Sequence, residues 1–213
     1  MPLETVFRIL FMSSFLAMLA IRIRFQSKVL HEKRALNVQE NAFSLTAGCL
    51  AALTTIVFGA EYLLAPGRFA FAYLLTYPMW LRWAGVLMLV CGIALLAASH
   101  AHLDRSFHSF ILTKEDHVLV DSGPYRFIRH PIYVAYVLNY LGGGLLAGNW
   151  VLTVFPALMF ALFTATRVRR EELLLIGEFG DTYHAYMART GRFFPKLGST
   201  LGQRNPSRPL TKK

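Results

Sequence analysis

The sequence predicts an all-α fold, a polytopic membrane helix bundle of about five transmembrane helices. Three observations carry that prediction. Apolar residues make up 55% of the 213-residue chain and charged residues only 16%, against roughly 25% charged in soluble domains. The charge-free runs 41–60, 83–103 and 130–166 have the lengths that spans require, since crossing a hydrocarbon core takes about 20 apolar residues. The basic residues are distributed asymmetrically between the two ends of those runs. The two cysteines, Cys49 and Cys91, sit inside apolar runs, which excludes a disulfide scaffold or a cysteine-based zinc site.

The first apolar segment, 9–21, is the weakest and extends to Leu3 if Glu4 and Arg8 snorkel to the interface. It is a poor secretory signal, because Glu4 precedes any basic residue and no small-residue cleavage site stands out. The second and third spans follow from 41–60 and 83–103. Between them, 69–81 is apolar and aromatic but too short to cross as a helix, so it is expected at the interface or re-entering. The 130–166 run is long enough for two spans, near 131–147 and 150–167, with Gly142-Gly143-Gly144 through Gly148-Asn149 supplying the turn. The tail 196–213, rich in Gly, Ser, Pro and basic residues, reads as disordered and able to touch anionic lipid. The chain thus divides into 1–79, 80–195 and 196–213.

Lys and Arg outnumber Asp and Glu 22 to 12, a formal net charge of +10. Nearly all the basic residues fall in 22–34, 102–129 and from Arg167 onward, which share one side in a five-span topology. Arg8, Arg68 and Arg82 remain on the other. The positive-inside tendency then places the amino terminus outside and the carboxyl terminus in the cytoplasm. Topology therefore explains the charge, and nucleic acid is not an expected partner.

Two segments on the basic side carry chemistry. In His117–Tyr133, a short extended run meets Asp121-Ser122-Gly123-Pro124, and a basic pair leads to His130-Pro131. A proline suits a helix start, and helix-start N–H groups beside Arg129 and His130 suit an anion. The plainer reading is a capped interfacial turn. In Arg167–Pro195, Arg167 and Glu171 share a helix face as the last span leaves the bilayer, while Glu171 and Glu172 face different ways. Surface ion pairing would explain the doublet cheaply, but an acid so close to hydrocarbon is a functional candidate. His100, His102 and His108, with Asp104 between them, read as interfacial polar residues rather than a metal site, and His184 as a surface residue.

Taken together, His117-x-Leu119-Val120, Gly123-x-Tyr125, Arg129-His130-Pro131-x-Tyr133, Arg167-x-x-x-Glu171-Glu172, Phe179-Gly180, Tyr183, Tyr186 and Arg192-Phe193-x-Pro195 resemble the isoprenylcysteine carboxyl methyltransferase family and its relatives, among them phospholipid N-methyltransferases. The resemblance covers about residues 80–195. It implies a membrane-embedded methyltransferase whose cofactor, S-adenosylmethionine, lies in a cytoplasmic pocket formed by the loop before the fourth span and the helix after the fifth. It implies that His117, Leu119, Val120, Gly123, Tyr125, His130, Pro131, Tyr133, Glu171 and Glu172 line that pocket, with His130 toward the cofactor carboxylate and the glutamates toward its amino and ribose groups. Arg129 and Arg167, with Glu171, take catalytic positions facing the substrate. That substrate is expected to be lipidic or prenyl-like, entering from the bilayer, with a carboxylate acceptor favoured and N- or S-methyl transfer open. The implied location is a prokaryotic inner membrane, among membrane lipids; the oligomeric state is open. A phospholipid N-methyltransferase, an NADPH-dependent membrane lipid reductase and a non-catalytic membrane scaffold stand as alternatives.

Overall fold

The computed structural model describes residues 2–32, 42–108 and 119–196. Its described residues form helices and short turns: α1 Leu3–Glu32, α2 Ala42–Leu64, α3 Met79–His108, α4 Pro131–Ala147, α5 Trp150–Phe179 and α6 Asp181–Arg189. Four of them contain stretches long and apolar enough to cross a membrane: Leu3–Phe25, Leu45–Leu64, Met79–Leu103 and Trp150–Phe179. The chain is thus a polytopic helical membrane bundle. The first apolar segment does extend to Leu3. The expected fourth span forms α4, which at 17 residues is about 25 Å long, short of a core of about 30 Å.

A single core joins all five long helices. Phe7 and Phe11 of α1, Tyr62 of α2, Leu89 of α3, Leu146 and Ala147 of α4 and Leu152 of α5 form one buried cluster. The first two helices therefore pack on the later three and do not form a separate layer. Segment 69–81 makes a 3-10 turn at Ala70–Tyr73 and then starts α3 at Met79. Trp150 ties this turn to α5, its indole N–H donating to the Phe71 carbonyl over 2.8 Å.

The glycine-rich end of α4 corrects one expectation. Only Gly148 and Asn149 form the α4–α5 turn; Gly148 takes φ 66° and the Asn149 side chain caps α5 by accepting the Leu152 N–H at 2.9 Å. Gly142, Gly143 and Gly144 remain helical and buried. A Cβ on Gly142 would come within 2.8 Å of the Gly85 carbonyl oxygen of α3, and one on Gly144 would run into the backbone of Thr153 in α5. These glycines let three helix backbones approach closely, as small residues do in membrane bundles. The 196–213 tail lies, from residue 197, outside the described residues.

Candidate functional site

The site is built where three pieces of chain meet at the basic end of the bundle. The turn 121–130 leads into α4, α5 continues past the apolar zone, and α6 with residues 190–196 folds back beneath them. The glutamate doublet lies on α5 itself, not on a helix following it, because α5 runs unbroken from Trp150 to Phe179.

Backbone pairing fixes the loop. Ile128 and Gly191 form an isolated parallel bridge. The Arg129 N–H donates to the Gly191 carbonyl at 2.8 Å, and the His130 N–H to the Arg192 carbonyl at 3.1 Å. Below it, the Tyr186 hydroxyl donates to the Tyr125 carbonyl at 2.8 Å, and Leu119 packs with Tyr183 and Tyr186 in a buried cluster. Gly123 has φ 58°, in the left-handed region, and the ring of His102 occupies the space a Cβ would need. A side chain there would meet both backbone strain and a clash. Val120 is half-buried beside Leu119, while His117 lies outside the described residues.

Two adjacent carboxylates organise the centre, and they do so differently. Glu172 is buried, with 4% exposure. It accepts from Arg129 Nε at 3.0 Å, from Arg192 Nε at 3.1 Å and from Arg192 Nη2, and His130 Nε2 stands 3.3 Å from its Oε1. Arg129 is engaged further, Nη1 donating to the Thr190 carbonyl at 2.5 Å. Glu171 faces the other way along α5. Its Oε1 accepts from the Tyr133 hydroxyl at 2.7 Å and from Arg167 Nε at 2.8 Å, while Oε2 lies 3.7 Å from His130 Nδ1, beyond hydrogen-bond reach.

His130 thus sits between two carboxylates, stacked on Tyr133 with ring centroids 5.7 Å apart. Burial holds its imidazole below the ordinary histidine value, outweighing the two glutamates that favour the cation. A neutral ring then donates one N–H, which fits the Glu172 contact at Nε2 and leaves Nδ1 an acceptor. Pro131, fully buried, occupies the first turn of α4. Arg192 rises above its ordinary value, chiefly through the Glu172 hydrogen bond, and burial pushes the Tyr183 phenol up to about 12.

The structure therefore brings His130, Tyr133, Arg167 and Glu171 together on one side and Arg129 with Glu172 on the other. Reading residues in isolation missed Arg192 as a site residue. It was visible only as part of a motif, because its partner is 20 positions away. His100 stacks on Phe25 at 4.6 Å and His102 Nδ1 lies 2.8 Å from the Ala98 carbonyl. No group of three metal-ligand side chains occurs among the described residues.

Comparison with known proteins bears on the same stretch. Residues 85–177 match the isoprenylcysteine carboxyl methyltransferase (ICMT) family. The chain is 32% identical over 111 residues to protein-S-isoprenylcysteine O-methyltransferase of Schizosaccharomyces pombe, covering 51% of this chain and 47% of that protein. It is 34% identical over 125 residues to the cobalt-zinc-cadmium resistance protein CzcN of Cupriavidus metallidurans, covering 57% of each. Protein-S-isoprenylcysteine O-methyltransferase A of Arabidopsis thaliana is 30% identical over 136 residues, 63% of this chain and 66% of that protein. The chain spans about half the length of the first two of these relatives.

Proposed function

We propose, from the membership of residues 85–177 in the isoprenylcysteine carboxyl methyltransferase family, that the protein is a membrane methyltransferase using S-adenosylmethionine. Its acceptor is a lipidic or prenyl-like molecule reached from the bilayer, with a carboxylate as the favoured nucleophile. The observation that carries this reading is the pair of opposed carboxylates flanking His130 at the mouth of α4 and α5.

The residues present fit such a cofactor. Glu171 Oε2 accepts no hydrogen bond among the described residues, so a carboxylate with spare acceptor capacity is available for an ammonium group. His130 Nδ1 and the start of α4 offer polar groups beside it, and the cluster of Leu119 with Tyr183 and Tyr186 supplies apolar surface on the same side of the bundle. Glu172, by contrast, is occupied by Arg129, Arg192 and His130. In this proposal it orients the loop rather than contacting the cofactor, and Arg129 is a positioning residue with it.

When bound, the cofactor supplies an electrophilic methyl group on a sulfonium. The protein's work is alignment and exclusion of water. A carboxylate nucleophile is ionised at neutral pH and needs no base. Arg167, half-buried one helical turn before Glu171 on the bilayer side, carries the positive charge that attracts such an acceptor. Access from the membrane is supported by an aromatic row. Tyr133, Tyr136 and Tyr140 of α4 all lie against Phe160 of α5, with centroids 6.1, 5.2 and 5.4 Å away. The row ends at an apolar cavity lined by Tyr140 and the buried Asn139, whose Oδ1 has no hydrogen-bond partner among the described residues.

The test uses purified protein in detergent micelles, methyl-labelled S-adenosylmethionine and two acceptors, a farnesylated cysteine derivative and a total membrane lipid extract. The expected product releases labelled methanol in base, the mark of a methyl ester; base-stable label would move the acceptor to nitrogen or sulfur. Absence of both cofactor binding by calorimetry and label transfer would overturn the reading. A carboxyl-terminal reporter fusion tests the proposed orientation, with activity expected on the cytoplasmic side.

A further inference from the structure

The opposite end of the bundle holds a cavity of about 450 Å³ that methyl transfer does not use. It is open to the surface and lined by the start of α1, the end of α2, the 65–78 loop, the start of α3 and the end of α4, with Glu4, Arg8, Tyr62, Tyr73, Tyr77 and Arg82 among its residues.

Two arginines line this cavity, and their situations differ. Arg82 is committed. It donates from Nη1 and Nη2 to the two oxygens of Glu4 at 2.8 and 3.1 Å, and from Nε to the Leu146 carbonyl at 2.8 Å. Arg8 lies 5.8 Å over the ring of Tyr62, and its buried Nε has no hydrogen-bond partner among the described residues. That nitrogen is sealed from solvent, and so from the cavity, which leaves the terminal nitrogens of Arg8 as the donors a ligand could meet. Glu4, the one acid among the described lining residues, also accepts the Tyr62 hydroxyl at 2.8 Å. The nearby buried Glu61 is turned to the Tyr73 hydroxyl at 2.6 Å and the Phe69 N–H at 3.4 Å. Among the described lining residues the cavity therefore sets two guanidinium groups against one carboxylate.

We propose that this cavity binds a phosphate-type oxyanion through the guanidinium of Arg8. Arginine's planar fork matches phosphate oxygens, and the volume exceeds what a lone carboxylate would fill. The surroundings are apolar on the lipid side: Leu75, which lines the cavity, is 56% exposed, and Leu64 and Leu74 near it are 84% and 74% exposed. A phosphodiester headgroup with its chains along this rim and a free phosphate share the same chemistry.

The experiment titrates the purified full chain, in neutral detergent, with dihexanoylphosphatidylglycerol and separately with inorganic phosphate, following tryptophan fluorescence. Trp80 and Trp83 lie in the first turns of α3, beside Arg82. Saturable binding of the short-chain lipid is expected, about ten-fold or more weaker in Arg8→Gln. Arg8→Lys keeps the charge without the fork and falls between, and it carries the test if Arg8→Gln fails to fold. Arg68→Gln, on the exposed loop, should leave binding unchanged. Displacement of the lipid by inorganic phosphate assigns the site to a free oxyanion, and failure to displace it assigns a headgroup; each supports the oxyanion site. No saturable binding of either probe to the parent, or parent-like affinity in the folded Arg8 variants, overturns it. Cofactor affinity at the other end is independent of this outcome, so the two proposals fail separately.

Discussion

The two ends of the bundle each centre on a glutamate gripped by arginine, yet the two glutamates live in different media. At the candidate site Glu172 is 5% exposed in its side chain and meets Arg129, Arg192 and His130. At the far end the Glu4 side chain is 41% exposed and meets Arg82 and Tyr62. The difference teaches that similar contacts carry unequal weight. A buried ion cluster leaves an uncompensated charge when one partner is removed, whereas a half-exposed pair is relieved by water.

The largest effect is therefore expected at Glu172. Replacing it with Gln leaves the buried Arg129 without its counter-charge, while water relieves the 42% exposed Arg192, and should destabilise the fold by about 3 kcal/mol, read as a drop in denaturation midpoint of the detergent-purified protein. Because Glu172 joins the 121–130 turn to residues 190–192 through Arg129 and Arg192, cofactor affinity should fall with it. A variant that keeps both the parent midpoint and the parent affinity would break the comparison at its strong end.

Next comes the close backbone contact between α4 and α5. Gly144→Ala forces a methyl group into the Thr153 backbone of α5. Overpacking of this kind costs about 1–3 kcal/mol. Gly177→Ala, which meets nothing within 4 Å, is the control, and helix propensity makes it neutral to slightly stabilising. An equal loss in both variants would remove the interhelical explanation.

These two predictions also mark what could be read from sequence. The Arg167–Glu171 pair was legible because its partners lie four apart on one helix, as was the opposed facing of Glu171 and Glu172. The grip on Glu172 was not, since Arg129 and Arg192 lie 43 and 20 positions away and no local periodicity connects them. Gly142–Gly144 were misread as turn residues because a glycine that permits a bend and one that permits close packing are the same letter. Glu4, Tyr62 and Arg82 went unread as a cluster, since their hydrogen bonds bridge 58 and 78 positions outside any motif.

A smaller effect separates the ends by pH. The folded state holds His130 below its ordinary pKa, so the unfolded chain binds more protons as pH falls through about 6.5. Stability should be full above that value and decline beneath it, levelling once the folded imidazole also protonates. The slope from one group cannot exceed about 1.4 kcal/mol per pH unit. His130→Gln should flatten the midpoint's dependence as pH falls below about 6.5. An unchanged slope would show that another group carries it.

The smallest effect is expected at Glu4. Glu4→Gln removes the charge facing Arg82 but keeps a carbonyl oxygen able to accept from either Arg82 or Tyr62. Arg82 also retains its hydrogen bond to the Leu146 carbonyl and its position 4.2 Å over the Phe7 ring. With Glu4 this exposed, water screens most of the lost attraction, and the cost should be about 1 kcal/mol or less. Salt sharpens the point: the parent's advantage over Glu4→Gln should shrink as ionic strength rises, while the Glu172→Gln deficit should persist, because buried pairs are screened far less. Midpoints measured in low and high salt for both variants decide it. A Glu4→Gln loss as large and as salt-resistant as that of Glu172→Gln would mean that the far end is as dry as the candidate site, and exposure would no longer explain why the two glutamates differ.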